Sequence, residues 1–226
     1  MDINADFETR AAVHAGKLDW IQSPMPGVER RMLDRMGDEV ARATTIVKYA
    51  PGSAFSPHVH TGGEEYLVLD GVFQDESGDF PAGSYVRNPP QSSHTPRSDN
   101  GATILVKLWQ FDLADREQVH ININTNPLTP ATGRPGVSVR PLFSSAYETV
   151  RIELWEPKTD IRLESHKGLE IFVLEGGFNE GGETFVKDSW LRLPIGHSFQ
   201  GTTHGTKTRV WVKQDHLSTM PLAPTP

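Results

Sequence analysis

Cysteine is absent from the 226 residues of this sequence. This excludes disulfide bonds, thiolate metal ligands, thiol nucleophiles and thiol redox switches. Any bound metal therefore has to be held by the nitrogen and oxygen donors of histidine, aspartate and glutamate. Such donors suit zinc, iron, manganese, nickel, cobalt and copper.

Long apolar runs and excess positive charge are missing as well. No stretch approaches the about 18–20 apolar residues that are needed to cross a bilayer, and the first residues lack the basic and apolar regions of a signal peptide. The net charge of −7 argues against a general attraction to nucleic acid. We therefore expect a cytoplasmic protein with no membrane or nucleic-acid partner.

Glycine and proline are frequent, and they separate short segments rich in β-branched and aromatic residues. The chain has 20 glycines and 17 prolines, and the segments between them include 66–69, 171–174 and 210–212. This pattern predicts an all-β sandwich or barrel. Residues 30–43 could also be read as an amphipathic helix. Their Met-Gly-Asp-Glu centre favours two strands joined by a hairpin turn.

An internal repeat runs through the chain. PGSAFSPHVHTGGEEYLVLDG (51–71) aligns with PKTDIRLESHKGLEIFVLEGG (157–177), and GSYVRNPPQ (83–91) aligns with DSWLRLPIG (188–196). Three shorter matches keep an offset between 105 and 109: Leu105-Val106-Lys107 with Trp211-Val212-Lys213, Val13-His14 with Val119-His120, and Pro26-Gly27-Val28 with Pro135-Gly136-Val137. The repeat predicts two domains, 1–112 and 113–226, with their connection within residues 112–135.

Four metal-ligand residues in the first copy have a suggestive spacing. His58 and His60 are two residues apart, so on a strand both side chains leave by the same face. A turn follows, and a hairpin would bring Glu64 back beside the histidines. His94 follows a later predicted strand and can supply a fourth ligand. Three imidazoles and one carboxylate suit one divalent transition metal, and they leave a position open if its coordination number is five or six.

The string HVHTGGEEYLVLDGVFQDESGDFPAGSYVRNPPQSSH (58–94) resembles the ChrR-type cupin family. That family is named after the metal-binding domain of an anti-sigma factor, and it includes metal-dependent dioxygenases that cleave diketones or related carbonyl compounds. The resemblance implies two tandem cupin domains, each a double-stranded β-helix or jelly-roll barrel. It also implies that His58, His60, Glu64 and His94 bind zinc or iron, with manganese or nickel as alternatives. Tyr66 is a candidate pocket residue, although simple packing would equally account for it.

The second copy lacks most of these ligands. Glu164 aligns with His58, His166 with His60, Leu169 with Glu64 and Phe199 with His94. We therefore expect one metal per chain and a structural role for the second copy. A rearranged site is the alternative, and it would need shifts in strand register to bring together Glu164, His166, Glu170 and His197.

Two functional hypotheses follow. The first is a regulatory or stress-sensing protein that binds a metal and a small ligand. We do not expect it to bind a sigma factor, because the Cys/His zinc site of the sigma-binding domain cannot be built without cysteine. The second is a dioxygenase that cleaves a diketone or a related small carbonyl compound. Chemistry at a metal-bound water and a purely structural metal also remain open, as does a homodimer formed through sheet edges.

Overall fold

A computed structural model describes residues 1–38 and 40–218. Within these residues the chain forms twenty-four strands and one 3₁₀ turn (Ala15–Lys17), with no α-helix. The all-β prediction is thus confirmed. In the described ranges, no helix is long and apolar enough to cross a membrane.

The strands are numbered along the chain: β1 (Asp2–Ile3), β2 (Ala11–His14), β3 (Ile21–Gln22), β4 (Val28–Gly37), β5 (Ala41–Tyr49), β6 (Ser53–Ala54), β7 (His58–His60), β8 (Glu64–Asp75), β9 (Gly78–Pro81), β10 (Ser84–Asn88), β11 (Ser92–His94), β12 (Arg97–Ser98), β13 (Ala102–Leu108), β14 (Val119–Asn122), β15 (Thr129–Pro130), β16 (Val137–Ser144), β17 (Thr149–Trp155), β18 (Asp160–Leu163), β19 (Leu169–Glu175), β20 (Gly177–Glu180), β21 (Glu183–Val186), β22 (Ser189–Leu193), β23 (Phe199–Thr203) and β24 (Thr208–Gln214).

The chain divides into two compact units. The first contains Met1–Ala5 and Asp19–Asn124, and the second contains Asp6–Leu18 and the described residues from Thr125 onward. The boundary after Asn124 lies inside the predicted connection at 112–135.

The first unit is built on an antiparallel sheet in the order β1-β4-β5-β13-β8-β10-β14. Shorter pairs, β7 with β11 and β6 with β12, lie off this path, and the second half of β8 pairs with β9. The long strand β8 changes partners near Gly71, whose φ is 72°. A Cβ at Gly71 would lie 2.1 Å from the carbonyl oxygen of Gly101, so only glycine fits there. The repeat conserves this feature, since Gly176 has the same φ and approaches the Lys207 carbonyl oxygen just as closely.

The second unit has a sheet in the order β15-β16-β17-β24-β19-β22-β2 and a smaller one in the order β18-β23-β20-β21. Relative to the predicted division at residue 112, each unit contains one strand from the other side of that point. Strand β14 completes the first unit beside β10, and β2 completes the second unit beside β22. In both cases the added strand pairs along an edge that would otherwise leave backbone groups unpaired.

The hairpin predicted within residues 30–43 is present. Strands β4 and β5 pair in an antiparallel ladder from Val28↔Tyr49 to Gly37↔Ala41, with an irregularity between Met32 and Asp34. The helical alternative is wrong, because the apolar residues of this segment serve a strand that faces the barrel interior.

Each unit has its own apolar core. The core of the first unit contains Val28, Val47, Tyr49, Tyr66, Val68, Phe73, Phe80, Val86, Ala102, Ile104 and Val106. The core of the second unit is more aromatic. There, Phe178 stacks on Phe185 with ring centroids 4.9 Å apart, and Phe199 meets Phe178 edge-on at 5.2 Å. Trp155, fully buried, packs against the same cluster.

Candidate metal centre

Three histidines converge in the first unit. Strand β7 carries His58 and His60, and it pairs antiparallel with β11 so that His58 lies opposite His94. Their candidate ligand atoms all lie within 4.8 Å of one another. His60 and His94 are buried, whereas His58 is partly exposed. The cluster thus has a buried side and an exposed side, and it could hold a metal ion.

Glu64 reaches the same point from the start of β8. Its Oε2 atom lies 3.4 Å from Nε2 of His60 and 3.5 Å from Nε2 of His94. The same oxygen accepts a hydrogen bond of 3.2 Å from the Nδ2 amide of Asn88, on the neighbouring strand β10. The sequence predicted this return of the chain through the turn at 61–63.

The spacing of these atoms fits a first-row divalent metal. The Nε2 atoms of His60 and His94 are 2.8 Å apart, and the Glu64 oxygen completes a triangle with them. Donor–metal bonds of about 2.1 Å place neighbouring donors about 3.0–3.4 Å apart in octahedral or tetrahedral geometry. The donor set contains no sulfur, which disfavours a closed structural zinc site of the thiolate type.

Hydrogen bonds behind the imidazoles fix their orientation. The Nδ1–H of His94 donates to Oδ2 of Asp75 at 3.2 Å, and the Nδ1–H of His58 donates to the Ser56 carbonyl oxygen at 2.9 Å. With the proton on Nδ1, the Nε2 lone pair is free to bind a metal. Asp75 and Asn88 are therefore part of the centre. Sequence spacing did not single them out, because neither stands at a ligand position of the motif.

Burial and nearby charges shift the pKa values of the two buried imidazoles, His60 and His94, in opposite directions. Burial lowers the pKa of His60, and the nearby His94 and His58 add to this against the opposing charge of Glu64. Burial also disfavours protonation of His94, but the hydrogen bond to Asp75 and the charge of Glu64 outweigh it, so the pKa of His94 is raised. The two buried imidazoles therefore differ in basicity, and His94 is the more basic of the two.

Tyr66 lines the interior wall next to these ligands. Its ring is 1% exposed and packs against Phe73 and Phe80, with centroids 4.9 and 6.0 Å away. Its hydroxyl is buried and has no hydrogen-bond partner. Burial, together with the negative charge of Glu64, raises the pKa of Tyr66 far above its ordinary value, so the group stays a neutral donor. The ring is part of the core, and the hydroxyl is a buried donor without a partner.

The second unit has no equivalent cluster in the part of the chain that the structure describes. Leu169 and Phe199 are each 1% exposed and belong to its apolar core. Leu163 lies opposite Phe199, just as His58 lies opposite His94. Leu163 therefore occupies the His58 position, and the predicted match of Glu164 with His58 is one residue out of register.

The four residues of the alternative metal site in the second copy do not come together in the structure. Glu164, His166 and His197 are exposed, and the Glu164 carboxylate accepts a hydrogen bond from Ser198 at 2.7 Å. Glu170 is fully buried and lies 2.8 Å from Nε2 of His216. The first-unit counterpart of Glu170 is Glu65, which is likewise buried and accepts a hydrogen bond from the Tyr85 hydroxyl.

The comparisons with known proteins agree with the cupin resemblance. Residues 8–112 match the family model described as the ChrR Cupin-like domain. No match was found among curated proteins.

Three solved structures illustrate the similarity in fold. A Nostoc punctiforme protein with the provisional description of a dioxygenase aligns with a TM-score of 0.76 at 16% identity, over 97% of this chain and 88% of that one. A Cupin 2 conserved barrel domain protein from Leptotrichia buccalis gives 0.60 at 10%, over 90% and 95%. Salicylate 1,2-dioxygenase from Pseudoaminobacter salicylatoxidans gives 0.55 at 12%, over 84% and 69%. The chain therefore has the cupin fold, and its residues 8–112 match the ChrR cupin-like domain.

Proposed function

We propose that the first unit holds one divalent transition metal through His58, His60, Glu64 and His94, and that the chain is a dioxygenase acting on a small carbonyl compound. The observation that carries this proposal is the asymmetry of the centre. Its donor atoms are mostly buried, and one imidazole faces solvent. Four protein donors leave one or two positions open on a five- or six-coordinate metal, and the partly exposed His58 side gives access to them, whereas structural sites are closed by protein ligands.

The surrounding residues would prepare this site for chemistry. Fe(II) bound there would supply the activation of dioxygen and a binding position for a carbonyl oxygen. Asp75 holds the proton on Nδ1 of His94, and Asn88 keeps the Glu64 carboxylate aligned. Phe73 and the ring of Tyr66 exclude water from the inner wall. The unpartnered Tyr66 hydroxyl can donate a hydrogen bond to a bound substrate oxygen.

The dioxygenases among the structural neighbours support the proposal at the level of fold. At 12–16% identity, this likeness says nothing about substrate. The sequence alone placed a regulatory role slightly ahead. Because the metal centre is accessible from one side while most of its ligands are buried, we favour an enzyme over a regulatory protein.

A regulatory ligand sensor is the second candidate, and the match of residues 8–112 to the ChrR cupin-like domain favours it. Such a sensor would bind the same metal and a small ligand without turnover. Contact with a sigma factor through a Cys/His zinc domain is not part of this candidate, since the sequence has no cysteine.

Metal content tests the ligand assignment. The purified protein should contain one equivalent of transition metal per chain by inductively coupled plasma mass spectrometry. Replacing His58 and His60 together by alanine should abolish it. The matched double replacement of the exposed His166 and His197 should leave it unchanged. Full retention of metal in the first variant would refute the assignment.

Oxygen consumption tests the activity. The Fe(II)-loaded protein should consume dioxygen with a small diketone such as 2,4-pentanedione, and mass spectrometry should detect two carbonyl-containing cleavage products. The variant lacking His58 and His60 should be inactive. If a panel of diketones and aryl ketones gives no consumption while one of them binds the metal-loaded protein, the sensor candidate replaces the enzyme.

A further inference from the structure

A groove on the first unit lies next to the metal centre. It has a volume of about 420 Å³, within the range of small-molecule sites. Its apolar lining includes Met25, Met32 and Phe55, and two arginines, Arg30 and Arg35, also face it. The Phe55 ring connects the groove to the centre, since its centroid is 6.1 Å from that of His58.

Strand geometry explains why arginines face this groove. Along β4, Val28, Arg30 and Met32 point to one side, and Val28 is fully buried in the barrel core. Arg31 points to the other side, where its guanidinium stacks 4.2 Å from the ring centroid of Trp20. Arg30 is therefore on the core-facing side of the strand.

The irregularity in β4 returns a second arginine to that side. Because the register shifts between Met32 and Asp34, Arg35 pairs with Ala43 on β5. Ala43 pairs with Leu108 on β13, and Leu108 pairs with Glu64 on β8. Residues paired across a sheet share a face. Arg35 thus stands on the same rung, and the same face, as the predicted ligand Glu64.

Neither arginine has a salt-bridge partner among the described residues, although the Asp38 carboxylate also lines the groove and its negative charge acts on Arg35. Asp38 itself binds the terminal ammonium at 2.6 Å. Burial and the like charge of Arg30 lower the pKa of Arg35, and they outweigh the opposing negative charge of Asp38. Two guanidinium groups beside an apolar wall match a ligand with one anionic and one apolar end.

We propose that this groove binds a small monocarboxylate with an apolar body, its carboxylate held by Arg30 and Arg35 and its body packed on Met25, Met32 and Phe55. If this ligand is also the substrate, the small carbonyl compound of the proposed function carries a carboxylate; this step rests on the proposed function and on Phe55, which connects the groove to His58. Binding to the groove itself does not depend on the metal.

Isothermal titration of the protein with octanoate tests the proposal. Replacing Arg30 or Arg35 by glutamine should weaken binding about tenfold each, as expected for loss of one charge-assisted hydrogen-bonding group. The control Arg31→Gln removes the same charge from the other side of the same strand, and it should leave the affinity unchanged. Equal affinities in the Arg30/Arg35 double variant and in Arg31→Gln would overturn the proposal, as would absence of binding to the wild-type protein.

Titrations of the unmodified protein make the test independent of folding in the variants. Octylamine should not bind measurably, and acetate should bind much more weakly than octanoate. Octyl phosphate should bind no more tightly than octanoate. If octylamine matched octanoate, the groove would be merely apolar, and if octyl phosphate bound far more tightly, the ligand would be a phosphate. Either result would overturn the assignment.

A titration of the His58/His60 double alanine variant separates this proposal from the proposed function. Octanoate should bind there as it does to the wild type. If the variant binds octanoate and the wild type consumes no oxygen, the groove proposal stands and the dioxygenase proposal is refuted. Oxygen consumption without octanoate binding would do the reverse.

Discussion

Asp75 is the residue that most directly prepares the buried side of the centre. Its carboxylate accepts the Nδ1–H of His94, and this hydrogen bond lowers the pKa of Asp75 against the opposing effect of burial. An ionised Asp75 keeps His94 in the tautomer that presents Nε2 to Glu64 and His60. The behaviour of the metal should therefore depend on a residue that does not touch it.

Asp75→Asn should weaken metal binding about 10–100-fold, the range for loss of a hydrogen-bond partner behind a ligand. The amide can still contact Nδ1, but it no longer supplies the negative charge that favours the correct tautomer. Competition with a chromophoric chelator measures the affinity. Asp70→Asn changes an exposed carboxylate of the same strand and serves as the control. Identical affinities in the two variants would contradict this role.

Replacing tyrosine by phenylalanine should affect stability differently at Tyr66 and at Tyr85. Tyr66→Phe removes a buried hydroxyl without a partner, so stability should stay within about 1 kcal/mol or rise slightly. Tyr85→Phe removes a hydroxyl that donates to the buried Glu65, and it should cost about 1–3 kcal/mol. Urea unfolding followed by circular dichroism measures both. A Tyr66→Phe protein that loses as much stability as Tyr85→Phe would show that its hydroxyl has a structural partner.

At the scale of elements, the turn between β7 and β8 joins two sets of ligands. His60 ends one strand and Glu64 begins the next, with Gly62 and Gly63 between them. Gly62 lies directly under Trp109, so that a Cβ would come within 2.1 Å of the indole ring. A side chain at Gly62 would therefore displace either the indole ring or the turn that connects His60 with Glu64.

Gly62→Ala should lower stability by about 1–3 kcal/mol through overpacking, and it should reduce metal affinity because the turn has to move. Gly205→Ala is the control, since nothing lies within 4 Å of a Cβ at that position and its φ is ordinary. Differential scanning calorimetry and metal titration report the two effects. If the Gly62→Ala protein were destabilised but bound metal as before, the geometry of this turn would not control metal affinity.

The local patterns of the sequence were informative because they depend on neighbours in the chain. The alternation at 58–60, the turn at 61–63 and the hairpin at 30–43 all follow from residue order, and the structure contains each of them. The convergence of His94 followed from the motif resemblance. The expectation that the second copy has only a structural role depended on Leu169 and Phe199, which the structure places in the core.

Other features depended on contacts that residue order does not encode. The similarity of Val13 and Val119 marked a repeated strand, but it could not say that β2 completes the second unit and β14 the first. In the ladders Val13 corresponds to Ile121, two residues away from the sequence match. A one-residue error at Glu164 likewise reversed the expected side-chain facing.

At the scale of the whole molecule, the two units use the same barrel differently. The second unit fills its interior with aromatic rings, and it holds the buried carboxylate of Glu153 with Arg134 and Arg151 at 2.7 and 2.6 Å. Its oxygens also accept a hydrogen bond from Trp155. Apolar side chains of this core, among them Leu169 and Phe199, stand where the first unit has metal ligands.

The Glu153 cluster gives the second unit a defined pH dependence. Burial raises the pKa of this carboxyl, but the hydrogen bond from Arg134 and the nearby arginine charges outweigh it, so the folded pKa is lowered. The stabilisation is therefore complete above the unfolded pKa of about 4.3 and is lost as pH falls toward the folded value. Glu153→Gln should be about 2 kcal/mol less stable at pH 7. The gap from wild type should narrow in urea titrations below pH 4, and a constant gap would argue against the ionised carboxylate.

Metal binding should stabilise only one of the two units. A ligand that binds the folded state stabilises it by about 2.7 kcal/mol at a hundredfold excess over its dissociation constant. Hydrogen exchange measured by mass spectrometry should therefore show slower exchange in residues 58–94 when zinc is added, and no change in the equivalent residues 160–203. The variant without His58 and His60 should show neither effect. Equal protection of both segments would mean that the second unit binds metal as well, through residues other than the apolar pair that now occupies its ligand positions.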